Sequence, residues 1–438
     1  MMYRLGIIAL ILFLSSVSSL SAQEILTLDQ AVEIGLRNNF DIRIARNEAQ
    51  MAKNNRGLGT AGFLPNLNAT GNYNLLSSEQ TSDTPEYDYE SDTEQWGGSI
   101  ELSWTIFDGF KMFVEKKRYN ALASLGEYQA RNTIEQKVVD ITRAYYNLVQ
   151  QQQLLQVAED TRAVSEERLD RERVRNEVGG ASSTDLLNAQ VSYNSDRALY
   201  LDQKLAVTIA REDLNLELGR DPATEVSVSE EIEIEPLDMD LETLRRLSFE
   251  NNSSLKVAEM SRRAAESQLR SSFSNFLPRL NLVADYGYSD VTLDRDNLDM
   301  DIMTESRDAS VSLVLTFNIF NGTRDRVDYQ NARLESENAR LTLESAENML
   351  AGLVKEKYET YHQRMELLSL EEENVEAARQ NLELQQDSYE LGATSSIEFR
   401  DAQVSLISAR TSLVSACYEA SIARLEIDQL IGRIHVSE

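Results

Sequence analysis

One cysteine, Cys417, stands in 438 residues, so no disulfide can form within the chain. None follows the N-terminal apolar stretch either, and the usual lipoprotein anchor is not expected. Histidine is almost as rare: His362 and His435 lie far apart, and neither has metal-ligating neighbours. No nucleophile elbow, P-loop or dinucleotide fingerprint is present, so catalysis has no candidate set and no cofactor is expected. ATP hydrolysis, where it is used, has to come from a partner. Only 5 prolines and 18 glycines punctuate the chain, which implies long uninterrupted elements, mostly helix. Basic residues number 43 against 73 acidic ones, and the formal charge of -30 argues against a duplex nucleic-acid partner, whose phosphates need clustered Lys and Arg.

The apolar run at residues 5–14 is about ten residues long, too short to span a bilayer as a helix. With Arg4 before it and small residues after it, the segment 1–22 reads as a cleaved secretory signal.

What is present is a repeat. At a constant offset of 213 residues, Asn38-Asn39 falls on Asn251-Asn252, Leu64-Pro65 on Leu277-Pro278, and Phe107-Asp108-Gly109 on Phe320-Asn321-Gly322. Gly219-Arg220 falls on Gly432-Arg433 by the same shift. One unit is therefore written twice, too long for a short-period solenoid. The first copy runs over residues 23–221, a linker rich in Glu and Pro over 222–236, and the second copy over 237–438. Each reads helix, strand, loop, strand, long helix, turn, helix.

The strands alternate with period two. Ile100, Leu102, Trp104 and Ile106 face one way and Ser99, Glu101, Ser103 and Thr105 the other; Leu280, Leu282, Ala284, Tyr286 and Tyr288 repeat the pattern against Arg279, Asn281 and Asp285. One apolar and one wet polar face, in runs of about ten residues, is the pattern of an outer-membrane barrel. Four strands cannot close such a barrel, and an open edge in lipid leaves backbone groups without partners, so the chain is not expected to act as a monomer. The intervening acidic segments 77–95 and 289–308 are expected to be external loops. Asp294-x-Asp296 does not make a calcium loop, because Asp299 stands where its glycine is needed.

Long helices are expected over residues 109–176 and 323–389, each about 100 Å by helical rise, with shorter ones over 27–61 and 183–218. Ile134, Val138, Ile141, Tyr145 and Leu148 keep a 4-3-4-3 rhythm, and Leu186, Tyr193, Tyr200, Val207 and Leu214 recur at sevens, as in coiled-coil packing.

With the paired Leu-Pro-x-Leu and Phe-Asp/Asn-Gly motifs, the Gly-containing turns at 178–185 and 391–398, and the two-copy plan, nearly the whole mature chain resembles the TolC-like outer-membrane efflux proteins. The resemblance implies a fold that is mainly α with a membrane β-barrel: a homotrimer with a twelve-stranded β-barrel continued by a twelve-helix α-barrel. It also implies a passive channel in the cell outer membrane that extends into the periplasm and serves efflux or type I secretion. The implied partners are outer-membrane lipid, a periplasmic adaptor protein and an inner-membrane pump of RND or ABC type. The linker and the C-terminus would form a belt around the tunnel.

The same resemblance implies site residues. Turns at Gly179 and Gly392 would meet the adaptor, with Ser183 and Ser396 capping the following helices. Thr184, Asp185 and Tyr389 would link neighbouring helices at the closed tip, and Glu398 and Asp401 would form an acidic ring, with Arg400 offsetting part of its field. Where some members carry a gate arginine, this chain has Thr394. The residues alone leave a second reading open: a periplasmic coiled-coil scaffold or adhesion protein with a small soluble sheet and no pore. Membrane fractionation separates the two. The barrel stays with membranes through a high-salt wash and leaves only in detergent; release by salt alone selects the scaffold.

Overall fold

The computed structural model describes residues 25–81, 83, 89–180, 182–229, 232, 234–296, 301–391 and 393–434; the segment 1–22, read as a secretory signal, and Gly392 lie outside them. The elements in chain order are β1 (Ile25–Leu26), α1 (Leu28–Asn38), α2 (Phe40–Asn54), β2 (Asn66–Gln80), β3 (Tyr89–Phe107), α3 (Lys111–Glu177), α4 (Ser183–Glu217), β4 (Ser227–Val228), α5 (Leu241–Asn251), α6 (Ser253–Phe273), β5 (Arg279–Arg295), β6 (Ile302–Thr316), α7 (Arg324–Glu390) and α8 (Ser396–Leu430). Two compact units result. The first combines Met1–Ile44, Thr133–Asn252 and Ala351–Glu438; the second combines Ala45–Asn132 and Ser253–Leu350. Each unit draws on both halves of the sequence.

The repeat is visible in the helices themselves. α3 and α7 are each 67 residues long, and α4 and α8 are each 35. Among the described residues no helix is long and apolar enough to cross a membrane.

The single helix expected over 27–61 is two helices. Thr27 starts α1 with a reciprocal cap: its hydroxyl accepts from the Gln30 amide at 3.3 Å, and the Gln30 side chain accepts from the Thr27 amide at 3.0 Å. Asn39 ends α1. Its backbone leaves the helix (φ -55, ψ 129) while its amide still donates to Gly35. Its side-chain oxygen then accepts from the amides of Asp41 and Ile42, which starts α2, and its side-chain amide donates to the Glu217 carbonyl at 2.8 Å. One asparagine thus stops a helix, starts another and ties both to the end of α4. Asn252 breaks the second copy likewise and reaches the Leu430 carbonyl at 3.4 Å. Gly219 turns α4 away at φ 66, where a Cβ would sit 2.8 Å from the Asn38 carbonyl oxygen, so only glycine fits.

The core of the first unit follows the sequence rhythm. Ile141, Tyr145 and Leu148 of α3 meet Val207, Ala210 and Leu214 of α4 and Leu26 of β1. The Tyr145 hydroxyl donates to the Leu26 carbonyl at 3.0 Å. Part of the expected linker is structured: β4 pairs in parallel with β1, and Val226 and Val228 are buried in this core. Asn215, fully buried, holds the turn by donating to the carbonyls of Pro222 and Thr224. Cys417 is half-buried against Leu368, Ala416 and Ala420, and burial pushes its thiol pKa up.

In the second unit an antiparallel sheet runs in the order β2-β3-β5-β6. Register puts Leu67, Leu102, Ala284 and Val311 in one row and Ala69, Ile100, Tyr286 and Ala309 in the next, all on one face. The other face carries Asn68, Glu101, Asp285 and Ser310, then Thr70 and Ser99, whose hydroxyls are 2.7 Å apart. A bulge between Thr105 and Phe107 brings Phe107, rather than Ile106, opposite Leu280. Aromatics border the apolar rows. Tyr73 lies opposite Trp96, which meets the Tyr288 ring at 5.1 Å; at the other end Trp104 donates to the Phe63 carbonyl, and Phe107 meets Phe110 at 5.2 Å.

The acidic segments are not the long loops expected between the paired strands. Residues 77–80 and 89–95 lie inside β2 and β3, and 289–295 and 302–308 inside β5 and β6. Ladder bonds, the Ser78–Ser91 hydroxyl contact and the hydrogen bond from Tyr73 to Glu94 hold the strands together although Glu79 faces Glu90.

Asn39→Ala is expected to destabilise the fold by about 1–2 kcal/mol, through loss of a helix cap and of the side-chain partner of the part-buried Glu217 carbonyl. Asn252→Ala, with its longer contact, should cost less. Denaturant midpoints of the purified variants measure both; unchanged midpoints would remove the capping role.

Candidate functional site

The helix hairpins α3–α4 and α7–α8 end in two turns of related build. Gly179 takes φ 77, and the Gly180 amide donates to the Arg175 carbonyl at 2.7 Å, closing the first turn. The cap of α4 is Ser182, not Ser183. Its backbone is extended, its hydroxyl accepts from the Asp185 amide, and the Asp185 carboxylate accepts in return from the Ser182 amide and hydroxyl. The cap of α8 is likewise Ser395, with Glu398 as its reciprocating acid, so Ser396 is the first helical residue. The extended backbone that lets a side chain reach forward occurs one residue earlier than the sequence suggested.

The caps hold both acids ionised. The hydroxyl and amide of Ser182, with the charges of Arg175 and Arg168, keep the Asp185 pKa below its ordinary value. The Thr394 hydroxyl, 2.6 Å from the Glu398 carboxylate, and the Ser395 amide and hydroxyl do the same for Glu398. Thr394, in the place of an expected arginine, also lies 3.2 Å from the Gln385 side chain. Asp401 is exposed, one helical turn from Glu398 on the same side of α8. Thr184 is exposed within the first turn of α4.

Tyr389 finds a partner the sequence did not indicate. Its hydroxyl donates to the Glu172 carboxylate at 2.7 Å, and its ring stacks on Phe399 with centroids 5.2 Å apart. Glu172 is only 1% exposed. Arg175 donates to the same carboxylate oxygen at 3.2 Å, and more weakly to the Tyr389 hydroxyl and the Gly180 carbonyl. Burial, then the bond to Glu172 and its charge, push the Tyr389 pKa up. Arg168, buried one turn before Glu172, is pulled below its ordinary value, first by burial and then by Arg400 against the attraction of the nearby acids. Arg400, beside the acids expected to form the ring, reaches across to Asp196 of α4, 2% exposed, at 2.8 Å.

Of the sequence-derived site residues, the structure gathers Asp185 and Tyr389 around one buried set of charges and leaves Thr184 and Asp401 on the surface. Glu172, Arg168 and Asp196 escaped the sequence reading. For Glu172 and Arg168 the signal was register: beyond Leu148 several inward positions of α3 turn polar, with Ser165, Arg168 and Glu172 buried beside Leu169. A charge in a core position is rarer than an acid in a turn and carries more information.

A family model described as outer membrane efflux protein matches residues 32–220 and again 244–433. Outer membrane protein TolC of Escherichia coli is 22% identical over 429 residues, covering 97% of this chain and 85% of that protein. Alkaline protease secretion protein AprF of Pseudomonas aeruginosa is 22% identical over 88% of this chain and 80% of its own length. Among solved structures, the Campylobacter jejuni CmeC outer membrane channel superposes with a TM-score of 0.80 at 14% identity, over 92% of this chain and 85% of that one. The open state of the Neisseria gonorrhoeae MtrE outer membrane channel does so with a TM-score of 0.72 at 17% identity, over 92% and 88%. At these identities the structural likeness establishes the fold.

The two acid caps have a pH signature. Because the folded-state pKa values of Asp185 and Glu398 are depressed, their contribution is complete above their ordinary values near 4 and is lost as pH falls through the folded values. Hydrogen exchange, corrected for intrinsic rates, should show first-turn amides of α4 and α8 losing protection between pH 6 and pH 3. The neutral Thr27–Gln30 cap of α1 should not change; equal loss at all three helices would refute the assignment.

Proposed function

The chain belongs to the outer membrane efflux protein family, and from that premise we propose that three copies form a passive exit duct opened by partner proteins. The carrying observation is the sheet. Its apolar rows share one face, and both outer strands, β2 and β6, have an open edge within the chain. Lipid offers such an edge no hydrogen bonds, so the sheet needs further strands to close. Three chains supply twelve, a permitted barrel size. The rows from Tyr73–Trp96 to Phe107 span about 25–30 Å at ordinary strand rise and a tilt of about 40°, close to the apolar band of such barrels. The aromatic borders suit the two membrane interfaces.

In this reading α3, α4, α7 and α8 of three chains wall a periplasmic tunnel, which gives the twelve-helix barrel. The turns at Gly179 and Gly392 meet a periplasmic adaptor, and an inner-membrane pump of RND or ABC type drives the cargo. One relative is named for alkaline protease secretion and another for toluene efflux, so this duct serves either type I secretion or efflux. Glu398 and Asp401, brought together around the axis, set cation preference: carboxylates converging between low-dielectric walls concentrate cations and repel anions.

Planar-bilayer recording of the purified full-length protein tests the duct. A cation-selective pore of low open probability is expected, and absence of any pore overturns the reading. Asp401→Asn should reduce the cation-to-anion permeability ratio to roughly half. It is the cleaner variant, since changing Glu398 also breaks the α8 cap. Unaltered selectivity would take Asp401 off the pore axis.

A further inference from the structure

At the end of the sheet where the long helices leave, rings and bases follow one another in order. Trp104 and Phe107 lie on the apolar face, opposite Leu282 and Leu280, and the Trp104 indole donates to the Phe63 carbonyl at 2.9 Å. Ring contacts run from Phe107 to Phe110 at 5.2 Å and from Phe110 to Phe113 at 6.4 Å, and Phe113 also meets Phe63 at 5.1 Å. The second copy has a cluster of its own, in which Phe273, Phe276 and Tyr329 touch one another at 6.0–6.4 Å. Across the 213-residue offset Phe276 corresponds to Phe63, so the two clusters occupy the same place in their copies.

One helical turn farther from the sheet, on the same helix face, each cluster is followed by exposed basic residues. Lys117 lies four residues beyond Phe113 in α3, and Arg333 four beyond Tyr329 in α7; Arg270 lies three before Phe273 in α6, which runs toward the sheet. None of the three forms an ion pair among the described residues. Acids one turn away are already engaged, Glu266 by Arg262 and Glu337 by Arg340. Asp328, five positions from Arg333, is off its helix face. The repeat did not supply these bases, because Lys117, Arg333 and Arg270 correspond to Gln330, Asn120 and Gly57. The two copies reach one arrangement from different positions, which shared packing does not explain.

The spacing fits the border of a bilayer. Aromatic rings favour that border, and the headgroup layer adds about 5–7 Å beyond the hydrocarbon on each side. One helical turn is about 5.4 Å, so a base one turn past the rings stands at the depth of the phosphates. At the other border the same sheet face carries Glu94, Asp92 and Asp294, with Asp290 and Glu305 in the row of Trp96. Anionic headgroups are therefore attracted at one border and repelled at the other, in a chain of formal charge -30.

We propose that Lys117, Arg270 and Arg333 bind the phosphates of anionic phospholipid in the periplasmic leaflet and so fix the depth at which the barrel sits. The proposal rests on reading the sheet as part of a membrane barrel. A base beside an anionic headgroup favours it over a zwitterionic one by about fivefold.

The test uses the full-length protein carrying Trp96→Phe, which leaves Trp104 as its single tryptophan. It is reconstituted in phosphatidylcholine vesicles containing either brominated phosphatidylglycerol or brominated phosphatidylcholine. Bromine quenches a nearby indole, so the ratio of the two quenching efficiencies reads lipid preference beside Trp104. Phosphatidylglycerol should be favoured about fivefold at low salt and less at about 0.5 M salt. Lys117→Gln should remove most of that preference and Lys117→Arg should keep it. The triple variant with Lys117→Gln, Arg270→Gln and Arg333→Gln should show a ratio near one. Equal quenching by both lipids before any base is changed, or a preference that survives in the triple variant, would overturn the basic belt and leave the barrel standing. Absence of quenching by either lipid would put Trp104 outside the membrane and overturn the barrel and the belt together.

Discussion

A strand in lipid has only other strands to receive its backbone hydrogen bonds. Everything else in the proposed assembly follows from that. Among the described residues the chain supplies four strands with an open edge on each side, so in the proposed assembly the barrel is a property of several copies and none completes it alone. In that proposed assembly, strands from three chains closing on one another would hold the long helices that follow β3 and β6 near a common axis. Their own pairing then needs only modest apolar stripes, because the barrel has already fixed their neighbours. The largely intermediate exposure along α3 and the largely exposed α7, with few fully buried side chains, fit helices whose remaining partners belong to other copies in the proposed assembly.

Much of this was legible in the sequence because the signals are periodic. Alternation assigned Leu67, Ile100, Leu282 and Val311 to one face with no knowledge of the register, and the 213-residue offset delivered helices of equal length in both copies. Failures occurred where a single side chain overrides a period. Asn39 sits inside an amphipathic pattern that continues past it, and only its three hydrogen bonds reveal that the helix stops. The acidic strand ends were read as loops because they lie between the paired alternating runs. A strand, however, needs only its ladder bonds, and residues that project beyond the apolar rows are free to carry carboxylates. The caps were misplaced by one residue, since consecutive serines at 182–183 and 395–396 are equivalent in composition and differ only in backbone angle.

The candidate site was less legible for a physical reason. Acids at a helix start are easy to see and have a ready local explanation, and here Asp185 and Glu398 do serve their own caps. The tip's cohesion within the chain comes instead from pairs far apart in sequence, Glu172 with Tyr389 and Asp196 with Arg400. Sequence shows each of these as an ordinary charged or aromatic residue on a helix rich in them. Burial separates them from their neighbours, and burial depends on which helices meet.

Duplication explains why such pairs arise where they do. Two identical copies give symmetric contacts, and a symmetric ring of hairpins has no reason to prefer one junction over another. Substitutions that place an acid on one hairpin and its donor on the other make the two junctions around each chain unequal. The sheet shows the opposite tendency: there the copies keep matching apolar rows, as strands that must pair on both sides in the proposed barrel require. Symmetry is retained where lipid punishes any gap in hydrogen bonding, and it is broken where water is at hand to receive a parted carboxylate.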